Sequence, residues 1–510
     1  MSDLKFPSGW AETTLGSALI SVIGVALTTR KVPPYFGGQI PWFTVKDMKG
    51  LKPNDAEEHI TEAAIADSAT NLIPANTLIV ATRIALGRAI RPTVACAINQ
   101  DLKALVLGGG INADFLLYWI GANQRVIQDL GSGTTVSGIR LEALHGLPLL
   151  LPPAAEQARI VAKLEELLSD LDAGVAELKA AQKKLAQYRQ SLLKAAVEGA
   201  LTAEWRTRNT PAEAGAQLLE RILLERRARW EARQLARFKE QGKTPPKDWQ
   251  KKSPEPVQPD STDLPELPEG WVWATIDQIA QVGTGVTPLR SKSAYFNEGT
   301  IPWVTSGALN SETVTSAAEL VTELALKQCR LELYPIGSLL VAMYGEGKTR
   351  GKCSELLIPA TINQAIAAIV LEPAAQSSKA YIKAFLLDSY ERMRAQASGG
   401  VQPNLNLQIV KAIALPLPPY AEQTEVTQLL DGQFDQISEQ QIAVGLGLKQ
   451  STAQRQNILR AAFAGQLVPQ DPNDEAASVL LERIRAERLV RASSRNNKHS
   501  AAHAGRKPKC

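Results

Sequence analysis

The chain has few cysteines and no long apolar run. Its four cysteines, Cys96, Cys329, Cys353 and Cys510, lie far apart and lack the spacing of zinc ligands or of a secreted disulfide framework. We therefore expect reduced thiols, no metal site and a cytoplasmic protein. No stretch approaches the roughly 18 apolar residues of a membrane span, and the N-terminus lacks a basic-then-apolar signal, so we expect no membrane association.

The usual sequence signatures of catalysis are missing as well. The four histidines form no pair at helical spacing, no Gly-x-Ser-x-Gly turn occurs, and no Gly-x-Gly-x-x-Gly is placed to bind a dinucleotide or S-adenosylmethionine. Residues 342–349 imitate a phosphate-binding loop, but Arg350-Gly351-Lys352 and then Ile358-Pro359 follow where such a loop needs a helix. We predict that the chain is not an enzyme and binds no cofactor itself.

What the chain does contain is a long internal repeat, whose copies are 261 to 266 residues apart. This period is too long for a solenoid, so it indicates a duplicated unit with several parts, which suits a partner that must be gripped at two places. The repeated motifs are Gly9-Trp10 and Gly270-Trp271, Ile40-Pro41-Trp42 and Ile301-Pro302-Trp303, Leu-Pro-Pro-x-Ala-Glu-Gln at 151–157 and 417–423, the segments 191–199 and 457–465, and Leu-Leu-Glu-Arg-Ile at 218–222 and 480–484.

A heptad repeat of apolar residues follows each Leu-Pro-Pro-x-Ala-Glu-Gln motif. The first heptad predicts a helix of roughly 45 residues, about 68 Å long, because each helical residue adds about 1.5 Å. We expect the two helices to pack antiparallel on each other within one chain, with a homodimeric zipper as the alternative. The predicted seam consists of Leu164, Leu171, Leu178, Leu185, Leu192, Leu430, Ile437, Val444 and Ile458.

The rest of the chain predicts two globular α/β domains, which gives an α+β fold class with an internal pseudo-twofold repeat. We expect one helix over residues 114–127, an extended proline-rich linker over 244–270, and a disordered basic tail from Arg488. The predicted boundaries are 1–151 for the first domain, 152–202 for the first long helix, 203–262 for an Arg-rich helix and linker, 263–416 for the second domain, 417–468 for the second long helix, and 469–510 for a C-terminal helix and tail.

Basic residues beside glycines are the candidate DNA contacts. A net charge of +4 does not by itself indicate nucleic acid, but these clusters precede Asn99-Gln100 and Asn363-Gln364 at corresponding places. Lysine and arginine neutralise phosphates and read guanine, whereas asparagine and glutamine suit adenine. The alternatives are ordinary exposed charges and structural amides. The candidates are Thr44, Lys46, Arg83, Arg88 and Arg91 in the first domain, and Arg290, Thr305, Ser306, Lys348, Arg350 and Lys352 in the second.

With these duplicated motifs the chain resembles the specificity subunit of a type I restriction-modification system. The resemblance implies two target-recognition domains that read the halves of a bipartite, asymmetric site in double-stranded DNA, with helical spacers that set the gap. It also implies a non-catalytic subunit that assembles with two modification (methyltransferase) subunits and with restriction/translocase subunits. Adenine methylation and ATP-dependent cleavage then belong to those partners, which would bind S-adenosylmethionine, ATP and Mg²⁺.

Two other functions remain open from the sequence. A stand-alone bipartite DNA-binding regulator would bind DNA tightly without partners. A coiled-coil scaffold with protein-binding heads would have no affinity for DNA at any salt concentration.

Overall fold

The protein is described here from a computed structural model, which covers residues 7–24, 32–131, 138–260, 262, 264–344, 349–398 and 405–504. The chain divides into two compact units: unit 1 combines Met1–Lys179 with Gly445–Cys510, and unit 2 is Ala180–Val444. Each unit contains one α/β domain and part of each long helix. The predicted fold class, α+β with two globular domains, two long antiparallel helices and an internal repeat, is confirmed.

The first half of the chain supplies the domain of unit 1. Its elements are β1 (Ala11–Thr14), α1 (Leu15–Ala18), β2 (Leu19–Ile23), β3 (Phe36–Phe43), β4 (Glu58–Ile60), α2 (Glu62–Ala66), β5 (Leu78–Ala81), β6 (Ala89–Ile90), β7 (Ala97–Ile98), β8 (Leu102–Leu107), α3 (Ala113–Ala122), α4 (Gln124–Asp129), α5 (Leu141–His145), β9 (Pro148–Leu151) and the long helix α6 (Ala154–Val197). The strands form sheets in the orders β2-β8-β5-β6 and β4-β3-β7, and β1 pairs with β9.

The second half supplies the domain of unit 2 and both later helices. Its elements are α7 (Ala203–Arg208), α8 (Gly215–Glu240), β10 (Val272–Thr275), α9 (Ile276–Ile279), β11 (Ala280–Thr284), β12 (Ile301–Val304), β13 (Thr313–Val314), β14 (Glu319–Val321), α10 (Glu323–Gln328), β15 (Leu339–Ala342), β16 (Cys353–Leu356), β17 (Thr361–Ile362), β18 (Ile366–Leu371), α11 (Lys379–Asp388), α12 (Tyr390–Ser398), α13 (Leu407–Ala412), β19 (Ala414–Leu417), the long helix α14 (Tyr420–Phe463) and α15 (Ala477–Ala504). Short 3-10 helices lie at Pro33–Tyr35, Val45–Asp47, Trp249–Lys252, Ser293–Tyr295, Ser306–Asn310 and Pro373–Ser378.

The two domains repeat one topology. In unit 2 the sheets have the orders β11-β18-β15-β16-β13 and β14-β12-β17, and β10 pairs with β19. Each strand order of unit 1 therefore recurs, with β13 added at one edge. The central strands β5 and β15 are wholly buried, which explains why both are unbroken apolar runs rather than alternating ones.

Both long helices start in the same way. The Pro-Pro pair ends the preceding strand, and the glutamine of the motif then folds back, so that Nε2 of Gln157 donates to the Pro152 carbonyl at 3.0 Å and Nε2 of Gln423 to that of Pro418 at 2.8 Å. The buried glutamate before each glutamine lies in the first turn, where the helix dipole favours a negative charge. These contacts explain why Glu-Gln is kept in both copies.

The long helices run antiparallel within each unit. In unit 1 Asp172 pairs with Arg455, and in unit 2 the Tyr188 hydroxyl donates to Gln433 at 3.0 Å, so residue numbers rise along one helix and fall along the other. The predicted seam residues are buried at Leu164, Leu192, Leu430 and Ile437, and half-buried at Leu171, Leu178, Leu185, Val444 and Ile458. None of the helices in the described part of the chain has the length and apolar character needed to cross a membrane.

Helices α8 and α15 dock on the two domains in equivalent ways, through the repeated Leu-Leu-Glu-Arg-Ile. Leu218, Leu219 and Ile222 enter the core of unit 2, and Leu480, Leu481 and Ile484 enter that of unit 1. One arginine further along each helix then binds the backbone of a short helix. Arg226 donates to the Asp277 carbonyl of α9, and Arg488 to the Gly16 carbonyl of α1.

Three local expectations were wrong. Arg488 does not begin a disordered tail, because α15 continues through it to Ala504. The linker is not merely extended: it contains the 3-10 helix Trp249–Lys252, whose Trp249 stacks on Trp230 at 5.9 Å between ring centroids. The helix expected over 114–127 is two helices, α3 and α4, because the backbone leaves helical geometry at Asn123.

Candidate nucleic-acid interface

Three repeated motifs meet at one place in unit 2, which we name joint 2. Helix α6 ends at Val197, and the chain turns two residues later at Gly199, which has a positive φ of 75°. A Cβ at Gly199 would lie 2.7 Å from Pro268 and 3.2 Å from Trp271. The Glu422 carboxylate lies beneath, fully buried. It accepts hydrogen bonds from Thr202 Oγ1 at 2.7 Å, Arg206 Nη2 at 2.7 Å and Trp271 Nε1 at 2.8 Å. An ion pair and two neutral donors therefore hold the end of α6 against the start of the domain.

The same motifs meet in unit 1, at joint 1, with different polar chemistry. Gly465 follows the end of α14 and has a φ of 71°, and a Cβ there would lie 3.3 Å from Trp10. Glu156 is 1% exposed, and the hydrogen bond described for its carboxylate comes from the neutral amide of Gln470 at 3.3 Å. The buried Nε1 of Trp10 has no hydrogen-bond partner among the described atoms. The backbone arrangement is thus repeated, but the buried ion pair belongs to joint 2.

The loop between β5 and β6 carries two basic candidates of the first domain, Arg83 and Arg88, and Arg91 follows β6. Arg83 and Arg88 are exposed, and Arg83 lies 3.5 Å from the Asp101 carboxylate. Arg91 is instead held by Asp114, through Nε at 2.7 Å and Nη2 at 3.0 Å, and its Nη1 reaches Asn76. The Arg91 guanidinium is thus engaged within the domain, and a DNA contact by this residue stays a prediction.

Lys103 is a basic residue near Arg83 that was not among the DNA contacts predicted from the sequence. It lies on β8, and its ammonium donates to the Gln100 carbonyl at 3.1 Å. Burial lowers the pKa of Lys103, and the charge of Arg83 lowers it further, while Asp101 opposes this. Arg83 and Lys103 therefore share one electrostatic environment. Lys103 is the one polar residue of β8, whose sequence is otherwise apolar.

The basic candidates of the second domain differ from one another. Arg290 is 60% exposed, forms a two-point contact with Glu319 that raises its pKa, and lies over the Trp303 ring at 5.2 Å from its centroid. Lys352 donates to Asn310 at 2.8 Å. Arg350 is half-buried, and its Nε is buried without a hydrogen-bond partner among the described atoms. Lys348 lies outside the described residues.

The loop that imitates a phosphate site leads into a strand. It follows β15, as expected, but the next element is β16 and not a helix. A phosphate loop needs helical N–H groups aimed at the anion, and no helix begins in the described residues 349–356. In the described part of the chain, no cluster of histidine, cysteine or acidic residues is arranged to hold a metal ion.

The hydroxyl and amide candidates are divided between structural and exposed groups. Thr44 caps a short helix, since its Oγ1 accepts from the Lys46 N–H at 3.2 Å, while the Lys46 side chain is exposed. Thr305 and Ser306 are half-buried at the start of the equivalent helix. In each Asn-Gln pair the asparagine oxygen accepts from the backbone N–H two residues on, of Asp101 and Ala365, whereas the glutamine is exposed.

Comparison with known proteins relates both halves to one family. A family model described as the type I restriction modification DNA specificity domain matches residues 7–181 and 268–444. The EcoDI specificity subunit of a type I restriction enzyme from Escherichia coli is 25% identical over 74% of this chain and 78% of its own length. The MjaIX specificity subunit from Methanocaldococcus jannaschii is 21% identical over 85% and 88%.

The fold has a counterpart among solved structures. A chain from work described as the structural basis of complex assembly and conformational transition of the type I R-M system aligns with a TM-score of 0.62. The alignment covers 91% of this chain and 99% of that chain at 16% sequence identity. This likeness concerns the fold.

Proposed function

The chain belongs to the type I restriction modification DNA specificity family, and from this we propose that it is the DNA-recognition subunit of a type I restriction-modification complex. Each domain then reads one half of a bipartite, asymmetric site in double-stranded DNA, and the subunit itself is not catalytic. The observation that carries this proposal is the family match to both copies of the repeat. The relatives named as specificity subunits support it.

Unlike reading surfaces favour an asymmetric site. The second residue after the central strand is the exposed Arg83 in the first domain, after β5, and Tyr344 in the second domain, after β15. Arginines align the duplex through phosphates and read guanine in the major groove, so different loops should select different bases.

The chemistry would belong to partner subunits in the cytoplasm. Two methyltransferase subunits would bind S-adenosylmethionine and methylate adenine, and restriction subunits would use ATP and Mg²⁺ to cleave DNA. The long helices α6 and α14 would set the gap between the half-sites, since a helix is a stiff element of fixed rise.

A matched insertion in the two helices tests this proposal. Four residues placed after Lys179 and four after Val444 should add about 6 Å, because each helical residue rises about 1.5 Å. With a rise of about 3.4 Å per base pair, the gap should grow by about two base pairs. Methylome sequencing of a host that carries the chain with its methyltransferase partner should show the longer gap and two unchanged half-sites.

The controls separate the competing functions. An insertion in α6 alone should abolish methylation, because the opposite helix then loses its pairing. Altered half-sites in the matched variant would contradict the role of the helices. Tight, selective DNA binding by the chain alone would favour a stand-alone regulator, and absence of DNA binding at low salt, with the partner present, would favour a scaffold.

A further inference from the structure

Ile84 is held in an unusual backbone conformation at the surface of the first domain. Its φ is +67°, and its side chain is 63% exposed. A left-handed backbone is a marked outlier for a β-branched residue, and it costs about 1–2 kcal/mol because Cβ crowds the following carbonyl. An exposed isoleucine recovers little of this through burial. Strain of this kind is kept where function requires it.

The loop that carries Ile84 is anchored on both sides. The Thr82 N–H donates to the Asp101 carbonyl at 2.8 Å, and the Ile139 N–H donates to the Thr82 carbonyl at 2.9 Å. Beyond the tip, Leu86 is 3% exposed, and the Ala81 N–H closes the loop by donating to the Arg88 carbonyl at 2.9 Å. Ile84 is therefore presented by a fixed platform.

Gly87 ties the same loop to helix α4. Its φ is +76°, and a Cβ at this position would lie 2.7 Å from Gln124 side-chain atoms and 2.8 Å from the Gln124 Cα. The close approach means that the loop cannot relax outward without losing this contact. The orientation of Ile84 is thus determined by packing on both sides of the tip.

Cations surround this apolar tip. Arg83 precedes it, Arg88 follows it in the same loop, and both are exposed. A surface with cations around a projecting apolar group matches the major groove, where phosphates flank the base edges and the thymine 5-methyl is an apolar group. Among the four bases only thymine offers such a methyl at that edge.

We propose that Ile84 reads a thymine by contact with its 5-methyl group in the major groove, in the half-site bound by the first domain. The inference rests on the proposed DNA-recognition function. Arg83 and Arg88 hold the flanking phosphates, and the strained backbone fixes the isoleucine at the depth of the base edge. Because it is positioned before binding, contact with the methyl involves little further ordering.

Deoxyuridine tests the contact, since it removes only the methyl group. The DNA duplexes carry the site identified by methylome sequencing, and in each duplex one thymidine is replaced by deoxyuridine. They are titrated with the chain in complex with its methyltransferase subunits. For the wild type, one substitution in one half-site should weaken affinity about fourfold, the value of one buried methyl-sized group. In Ile84→Ala the same substitution should have no effect. Ile336→Ala is the matched control, because Ile336 is also 63% exposed but lies in the second domain.

Ile84→Gly adds an independent measurement. Glycine accepts a positive φ, so this variant should be at least as stable as the wild type while losing sensitivity to the methyl. If no single deoxyuridine weakens wild-type binding, or if Ile84→Ala keeps that sensitivity, the inference fails. If the wild-type complex selects no DNA site at all, the proposed function fails instead.

Discussion

Replacing Glu422 by alanine should open joint 2. The buried carboxylate accepts hydrogen bonds from Thr202, Arg206 and Trp271, at distances from 2.7 to 3.0 Å. Removing one partner of a buried ion pair costs about 3–5 kcal/mol, since the remaining charge is uncompensated. Arg206 keeps 21% of its side chain exposed, so water relieves part of that cost. With the Trp271 N–H left unpaired, we expect a loss of about 3–4 kcal/mol.

Glu156→Ala is the matched control in joint 1. The substitution removes the same atoms from the same position of the repeat, so the cavity left behind is comparable. The hydrogen bond described for Glu156 comes from a neutral amide at 3.3 Å, and its loss is worth about 1 kcal/mol. The expected difference between the variants is therefore about 2–3 kcal/mol, caused by the ion pair.

Amide hydrogen exchange measures this difference locally. A chain with two units does not unfold in one step, so a single free energy of unfolding is not defined, whereas exchange reports each region. In Glu422→Ala, amides of residues 199–206 should exchange roughly a hundredfold faster than in the wild type. In Glu156→Ala, residues 465–470 should change several-fold. Equal acceleration in both variants would refute the assignment of the ion pair to joint 2.

Two further predictions concern charged side chains of the domains. Arg91→Ala should destabilise unit 1 by about 1–3 kcal/mol, because it removes the ion pair with Asp114, and should leave the salt dependence of DNA binding unchanged. Arg88→Ala should instead lower the slope of log affinity against log salt concentration by about 1. Salt titrations that show equal slopes for the two variants would contradict this. Glu355→Gln should remove an acid-sensitive contribution to the free energy of unfolding. Burial raises the pKa of Glu355, but the ammonium groups of Lys379 and Lys383, at 2.7 and 3.1 Å, lower it by more, so the pKa lies below its usual value. The stabilisation by the Glu355 carboxylate is present above its unfolded pKa of about 4.3 and is lost as pH falls through the lower folded pKa. An acid-unfolding midpoint of Glu355→Gln equal to that of the wild type would contradict this.

The sequence predicted the fold well because its signals are periodic and duplicated. A heptad repeat that continues for more than forty residues specifies a helix whatever the surroundings. The internal duplication of the sequence then indicates that both helices belong to the same architecture. The docking of α8 and α15 was also visible in the repeated Leu-Leu-Glu-Arg-Ile. The repeat indicates that both helices have equivalent environments, whereas the tertiary fold sets the residues that they pack against.

The contact residues were less accessible because their roles depend on tertiary partners. Arg91 and Arg88 look alike in the sequence, yet Asp114, which distinguishes them, comes from the N-terminal turn of α3. Likewise, nothing in the residue string indicates that Ile84 has a positive φ, since the sheet and the Gln124 contact impose it. Local sequence gives residue type, and the fold decides which charge remains free.

The repeat in the sequence differs from the unit of folding. Unit 2 is one continuous segment, and its joint links Thr202 to Glu422, 220 residues apart. Unit 1 needs both termini: Arg488 binds the Leu19 carbonyl across 469 residues. Loop closure over a longer segment costs more entropy, and a chain made from its N-terminus cannot form the second contact until α15 exists. Unit 2 can therefore close during synthesis, whereas unit 1 must wait for the last helix, although the two domains have nearly the same topology.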